Sequence, residues 1–277
     1  MTMPQPLLTT APPAWKVLNE GSSAEPLVLA VDFAVSGRPE STFADLGRLL
    51  APSVPLWETR QPELERARTF DGEDFVSYWV RGVRDTGRPV RAVLGYCVGG
   101  LYAARVAQLL AAEQDEAPTV VLFDPEPPHQ AGMVADFRAA VARLCSVLSP
   151  EESALAGQAA VEAAQQSAGL AALGAALTEV FTGITGAAFA RAELPAELAG
   201  ELSGAYEAFV AYIAAAAVFD PAVSWEDATA LTTPAADPHA RYAGRLIPVD
   251  AAHEDILRSP ATADVLTGLL TRSRPQS

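Results

Sequence analysis

The sequence predicts an α/β fold: a mostly parallel central sheet with helices on both faces, interrupted by a long helical insert. Short apolar runs alternate with segments of helical periodicity along the first half of the chain, the pattern of a parallel sheet covered by helices. A helix-rich stretch without strand signals follows, and strand signals then return. Half of the 277 residues are hydrophobic, which is enough to build a large core.

The strands are predicted where apolar runs are too short and too rich in β-branched residues for helices. In chain order these runs are 26–32, 54–57, 89–95, 119–124, 227–233 and 245–250. Helical spacing of apolar residues predicts helices at 42–50, 75–83, 100–112 and 255–271.

The middle of the chain has a different composition. Residues 132–218 are rich in Ala, Leu, Glu and Gln and show no convincing strand, so we expect helices there. Ser149 followed by Pro150 is typical of a helix start. The predicted organisation is an N-terminal tail at 1–25, a core from 26–130 and 221–277, and a helical lid insert at 131–220.

Charge and cysteine content exclude several classes of function. Asp and Glu total 34 against 19 Lys and Arg, a net charge of −15, so nucleic acid is not an expected partner. Two cysteines cannot form a disulfide framework, no zinc-ligand spacing is present, and no metal or cofactor is predicted. We found no signal peptide and no apolar run near the ~20 residues of a membrane span, which predicts a cytoplasmic protein with no membrane partner.

The segment that indicates chemistry is Gly95-Tyr96-Cys97-Val98-Gly99-Gly100, between a predicted strand and a predicted helix. This is the nucleophile-elbow pattern with cysteine as the nucleophile. The sharp turn requires glycine two positions on either side of the nucleophile, because side chains there would clash. The helix N-terminus favours the thiolate of Cys97, and the Val98 amide can donate to an oxyanion.

A nucleophilic cysteine needs a base and a carboxylate that orients the base. His253 follows the last predicted strand, whereas His129 and His239 lie in predicted surface turns. Two carboxylates can orient the imidazole: Asp124 at the end of the strand after the elbow helix, and Asp237 after the weak strand that follows the insert. The order nucleophile, acid, histidine is that of α/β-hydrolases.

These residues resemble the thioesterases of polyketide and nonribosomal peptide assembly lines, which are α/β-hydrolases with a helical lid. The resemblance implies a catalytic set of Cys97, Asp124 and His253 and, by position, a second oxyanion donor at Val35. The implied partner is an acyl or peptidyl carrier protein with a phosphopantetheine-linked acyl group, or acyl-coenzyme A. Two features depart from the family: cysteine stands where most members carry serine, and the loop after the first predicted strand lacks the usual Pro- and Gly-bearing turn.

Two other functions remain open on the sequence. The elbow also resembles that of dienelactone hydrolases, which use cysteine but take their acid after a later strand, here Asp237. They lack a large helical insert. The third hypothesis is a binding protein that has the hydrolase fold but no catalytic activity. The leading hypothesis is that Cys97 takes an acyl group from a thioester and releases it to water or another nucleophile.

Overall fold

The computed structural model describes residues 13–34 and 39–272. The strands are β1 (Trp15–Asn19), β2 (Leu27–Val31), β3 (Leu56–Thr59), β4 (Val90–Tyr96), β5 (Thr119–Phe123), β6 (Thr229–Thr232) and β7 (Arg245–Pro248). The α-helices are α1 (Phe43–Leu49), α2 (Leu64–Ala67), α3 (Gly72–Arg84), α4 (Gly99–Ala111), α5 (Gln130–Ala142), α6 (Pro150–Gln166), α7 (Leu170–Arg191), α8 (Ala196–Ala215), α9 (Pro221–Ser224) and α10 (Pro260–Arg272). Short 3-10 helices occupy Ala216–Val218, Pro238–Tyr242 and His253–Arg258.

The strands form one sheet in the order β1-β3-β2-β4-β5-β6-β7. Only the β1–β3 pair is antiparallel among the described residues, and every other pair is parallel. The carboxyl ends of β2 to β7 therefore lie along one edge of the sheet. The predicted α/β fold with a mostly parallel sheet is confirmed.

Helices cover both faces of this sheet because neighbouring residues of a strand point to opposite sides. Leu94 and Tyr96 of β4 pack in a core cluster with Phe43 of α1 and with apolar residues of α10. Gly95, between them, faces the start of α4. The predicted covering of both faces is thus seen around β4.

The predicted N-terminal tail at 1–25 needs correction at Trp15–Asn19, which forms edge strand β1. Trp15 is buried, and its indole nitrogen donates to the Trp79 carbonyl at 3.0 Å. Lys16 extends from this edge to the carboxylate of Glu58 at 3.5 Å. The sequence of β1 is short, follows prolines and contains a lysine, so its apolar pattern is too weak to predict a strand. Contacts with residues far away in sequence stabilise it instead.

The described residues group into two compact units. The first contains the sheet and comprises residues up to 62, 73–127 and 219 onward, and the second is helical and comprises 63–72 and 128–218. The predicted insert of 131–220 did not include 63–72. In the helical unit, Arg68 donates two hydrogen bonds to Glu207 of α8, at 2.7 and 2.8 Å. A contact between residues so far apart in sequence leaves no local pattern that could predict it.

The interior of the helical unit is built around aromatic side chains. Phe181 of α7 stacks on Tyr206 of α8 with ring centroids 4.4 Å apart, and Phe137 of α5 meets both rings edge to face. Burial and the nearby charge of Asp136 raise the pKa of Tyr206 well above its usual value. Its hydroxyl therefore stays protonated at all physiological pH values.

Helix α7 is long and apolar enough to cross a membrane by length and composition, with a mean hydropathy of 1.4. Such a test also selects core helices of globular units, so it is weak support for a span. Within the helical unit, one face of α7 is buried through Leu173, Leu177 and Phe181. This helix was not singled out from the sequence, because alanine and glycine residues interrupt its bulkier apolar residues.

Strand β4 and helix α4 approach each other more closely than ordinary side chains permit. A Cβ atom at Gly95 would lie 2.6 Å from the Cα of Gly100, 2.8 Å from the Cβ of Ala103 and 2.8 Å from the carbonyl oxygen of Gly99. Two of these three atoms belong to the backbone and cannot move aside as a flexible side chain can.

Replacement of Gly95 by alanine is therefore expected to destabilise the sheet unit by about 2 kcal/mol or more, the cost of overpacking. The measurement is the free energy of unfolding in urea. Gly268→Ala is the matched control: apart from its chain neighbours and the backbone of its own helix, nothing lies within 4 Å of its Cβ position in α10, so alanine should be neutral or slightly stabilising. Equal stability of the Gly95→Ala and Gly268→Ala variants would contradict the close approach.

Candidate active site

Cys97 lies at the turn between β4 and α4. Its φ angle is +50°, a left-handed conformation that non-glycine residues seldom adopt outside strained turns. Its amide donates to the Phe123 carbonyl of β5 at 3.1 Å, and its own carbonyl accepts from the Gly100 amide at 3.0 Å. The turn is thus fixed from both sides, and the Cys97 side chain is partly exposed at the carboxyl edge of the sheet.

The Val98 amide lies at the amino end of α4, as the sequence predicts. Val98 is the residue before the first turn of this helix, with φ −55° and ψ −31°. The first backbone N–H groups of a helix have no partner within the helix and carry its positive dipole end. Backbone donors of this kind can stabilise a negatively charged oxygen beside Cys97. Val35, the second predicted oxyanion donor, lies outside the described residues.

Asp124 follows β5 and is the carboxylate that the structure brings to His253. His253 Nδ1 and Asp124 Oδ2 are 2.8 Å apart. Thr233, just after β6, donates to the same carboxylate from its amide at 2.7 Å and from its hydroxyl at 2.6 Å. Asp124 itself is only 1% exposed and has φ +40°. A buried carboxylate with these three donors is held in one orientation.

The hydrogen bond to Asp124 raises the pKa of His253 above its ordinary value of 6.5. Burial opposes this shift, and the negative charges of Asp124, Glu126 and Glu40 add to it. Because Asp124 accepts from the ring, the neutral imidazole carries its proton on Nδ1. Nε2 then presents a lone pair, the arrangement that a general base needs.

Tyr96 is the second partner of the His253 ring and was not assigned a role from the sequence. Its hydroxyl oxygen lies 3.0 Å from Nε2 of His253, and the two rings stack with centroids 5.5 Å apart. Tyr96 is the last residue of β4 and immediately precedes Cys97. This contact places Nε2 at the end of β4, the strand that directly precedes the cysteine.

The segment that carries His253 is tied to the residues before α1. The Ser41 hydroxyl accepts from the Leu257 amide at 2.9 Å, and the Ser41 amide donates to the Glu254 carbonyl at 2.6 Å. Ser41 is fully buried, so both bonds are shielded from water. Ser41 and Thr233 were missed because a lone hydroxyl residue in a loop carries no sequence signal of its partner.

The other predicted candidates lie elsewhere. Asp237 binds His239, through the ring nitrogen Nδ1 and the backbone amide, each at 2.7 Å. Within the part of the chain that the structure describes, Asp237 makes no hydrogen bond to His253. His129 caps α5 by accepting from the Gly132 amide at 3.0 Å. Both histidines stabilise local turns, as their surface positions in the sequence indicate.

The fold is shared with solved thioesterase domains. The chain is similar to a four-domain nonribosomal peptide synthetase bound to AMP and glycine, with a TM-score of 0.61 and 16% identity over 95% of this chain. It spans 20% of the length of that synthetase. It also matches the NocB thioesterase domain from the nocardicin cluster, with a TM-score of 0.53 and 18% identity over 93% of this chain and 99% of that domain.

A third similar structure is the Vlm2 thioesterase domain carrying genetically encoded 2,3-diaminopropionic acid bound with a dodecadepsipeptide. Its TM-score is 0.51, with 16% identity over 94% of this chain and 97% of that domain. No protein-family model matches the chain, and no curated protein matches it in sequence. At these identities the likeness shows a common fold and no more.

The hydrogen bond between Asp124 and His253 predicts how the pKa of the imidazole responds to substitution. Asp124→Asn removes the main cause of the raised pKa and leaves burial, so the pKa of His253 should fall below its wild-type value. The measurement is an NMR pH titration of the imidazole signals. Asp237→Asn is the matched control and should leave the His253 titration unchanged. A fall in the control alone would contradict the pairing of Asp124 with His253.

The same shift predicts a pH dependence of stability. A histidine whose pKa is raised by folding stabilises the folded state fully below about pH 6.5 and loses that contribution as the pH rises through its folded value. The difference in unfolding free energy between wild type and Asp124→Asn should therefore shrink with rising pH across this window. A difference that grows with pH there would contradict the sign of the shift.

Proposed function

We propose that the chain is an acyl-thioester hydrolase or acyltransferase that uses Cys97, His253 and Asp124. The observation that carries this proposal is the hydrogen bond between Asp124 and His253 at the sheet edge that holds the cysteine elbow. Nucleophile, base and orienting carboxylate are the three groups that acyl transfer through a covalent intermediate requires. The likeness in fold to thioesterase domains supports the same class of reaction.

The first half-reaction loads the enzyme. Nε2 of His253 takes the Cys97 thiol proton, and the thiolate attacks the thioester carbonyl. The carbonyl oxygen becomes an oxyanion held by the Val98 amide and, in this proposal, by Val35. The intermediate then collapses by breaking the bond to the donor sulfur, which leaves as a thiol with the proton from His253. The acyl group remains on Cys97.

The second half-reaction releases the acyl group. Water or another nucleophile attacks the acyl-cysteine, and Nε2 of His253 takes its proton. The tetrahedral intermediate expels the Cys97 sulfur, which regains a proton from His253. Exchange of an acyl group between two thiols is nearly isoenergetic, and an acyl-thioester reacts with amines more readily than an oxygen ester. A cysteine is therefore suited to load from thioesters and to transfer as well as hydrolyse.

The proposed donor is a carrier protein with a phosphopantetheine-linked acyl group, or acyl-coenzyme A, in polyketide or nonribosomal peptide biosynthesis. Its support is the cysteine chemistry together with the fold shared with a synthetase and two thioesterase domains. A cytoplasmic location belongs to this proposal, because a nucleophilic thiol must stay reduced. Cys97 and Cys145 are not joined to each other by a disulfide in the structure.

Replacement of Cys97 by alanine tests the proposal. Turnover of acyl-coenzyme A and of acyl-phosphopantetheine carrier protein should fall by about a thousandfold or more, because the covalent route is lost. Cys145→Ser is the matched control and should retain wild-type turnover, since Cys145 is exposed on the helical unit. Full turnover by Cys97→Ala would end the catalytic proposal.

The choice of substrates separates the proposed function from an ester or lactone hydrolase. The wild-type chain should turn over acyl thioesters with a higher kcat/KM than simple lactones of matched acyl chain. A reversed preference would favour the lactone hydrolase. No turnover and no covalent adduct with either class would favour a binding protein.

A further inference from the structure

Both ring nitrogens of His253 are engaged in the structure. Nδ1 meets the buried carboxylate of Asp124 at 2.8 Å, and Nε2 meets the hydroxyl of Tyr96 at 3.0 Å. The proposed mechanism uses Nε2 to remove the proton of Cys97. The nitrogen needed for that step thus already has a partner, and the partner is the residue next to the nucleophile in sequence.

The direction of the second hydrogen bond follows from the first. Since Asp124 accepts from Nδ1, the neutral ring has no proton on Nε2, and the Tyr96 hydroxyl must be the donor. In the thiolate–imidazolium pair, Nε2 carries a proton, and the charged sulfur is a stronger acceptor than a phenol oxygen. Tyr96 therefore stabilises the neutral pair more than the charged pair.

We propose that Tyr96 is a positioning residue that competes with the Cys97 thiol for Nε2 of His253 and so sets the proton balance between them. This inference rests on the proposed roles of Cys97 and His253. In the resting enzyme, the Tyr96 bond keeps His253 neutral and Cys97 protonated. The reactive thiolate forms when Nε2 exchanges the phenol for the thiol.

The surroundings of the ring favour such a device. The hydrogen bond and the charge of Asp124, together with the charges of Glu126 and Glu40, raise the pKa of His253 against the opposing effect of burial, and a raised pKa favours the charged pair. Tyr96 is 4% exposed and packed in the core below the ring, so its hydroxyl cannot turn freely to water. The side chain of His253 is 33% exposed, and in the proposed exchange the imidazole moves toward the thiol while the tyrosine stays in place.

The test measures thiolate reactivity without any acyl substrate. In a Cys145→Ser background Cys97 is the only thiol, because the chain has two cysteines. Its sulfur displaces iodide from iodoacetamide, and intact-mass spectrometry at pH 7 follows the alkylation. Tyr96→Phe should raise the rate about two- to tenfold, the equivalent of one net hydrogen bond. Tyr242→Phe, the same change on a half-buried tyrosine whose hydroxyl accepts from Arg241, should leave the rate unaltered.

The same comparison in a chain that also carries His253→Ala shows whether Tyr96 acts through His253. With His253→Ala present, Tyr96→Phe should no longer change the alkylation rate. An unchanged or slower rate in Tyr96→Phe alone would overturn the proposal, and so would an equal acceleration in the absence of the imidazole. Because no acyl donor is used, loss of the proposed thioesterase activity and loss of this competition are seen in separate assays.

A measurement on the chain that keeps Tyr96 tests the proposal independently. Nitrogen-15 NMR of the imidazole in the Cys145→Ser chain, above the pKa of His253, should show the proton on Nδ1 and a hydrogen-bonded Nε2. A neutral ring protonated on Nε2 would overturn the proposal, since Tyr96 could not then be the donor. This result does not depend on how well the phenylalanine variant folds.

Discussion

The close approach of β4 and α4 at Gly95 is the constraint on which the site depends. The missing side chain at Gly95 lets the first turn of the helix pack against the end of the strand, with Gly100 completing the contact. The chain must then turn sharply in between, and Cys97 takes a left-handed conformation that costs energy. The packing of the sheet and its core offsets that cost. As a result, the cysteine is held at the sheet edge beside a helix N-terminus.

A buried carboxylate organises the rest of the site. Asp124 receives hydrogen bonds from Thr233 and pairs with His253, so it joins the ends of β5 and β6 to the segment after β7. These residues meet because parallel strands end at a common edge, although they are far apart in sequence. The hydrogen bond to Asp124 orients the imidazole and is the main cause of its raised pKa, and in the proposal above Tyr96 favours the protonated Cys97 thiol in the resting enzyme.

The sequence predicted the parts of this molecule that local patterns encode. Six of the strands follow from short apolar runs, and glycine spacing and chain order nominated Cys97, Asp124 and His253 as candidate site residues. The sequence favoured Asp124 over Asp237 but kept both as candidates, because either carboxylate follows a strand and only packing brings one to the imidazole. Edge strand β1 and the contribution of 63–72 to the helical unit were missed for the same reason, since distant partners stabilise both.

The most direct test of covalent catalysis by Cys97 is the mass of the intact chain shortly after mixing with an acyl-coenzyme A. We expect a transient species heavier by one acyl group, which is absent in Cys97→Ala and present in Cys145→Ser. In His253→Ala, this species should form more slowly and last longer. An acyl group carried by a different residue, or turnover of the thioester without any covalent species in the wild type and with full rate in Cys97→Ala, would contradict it.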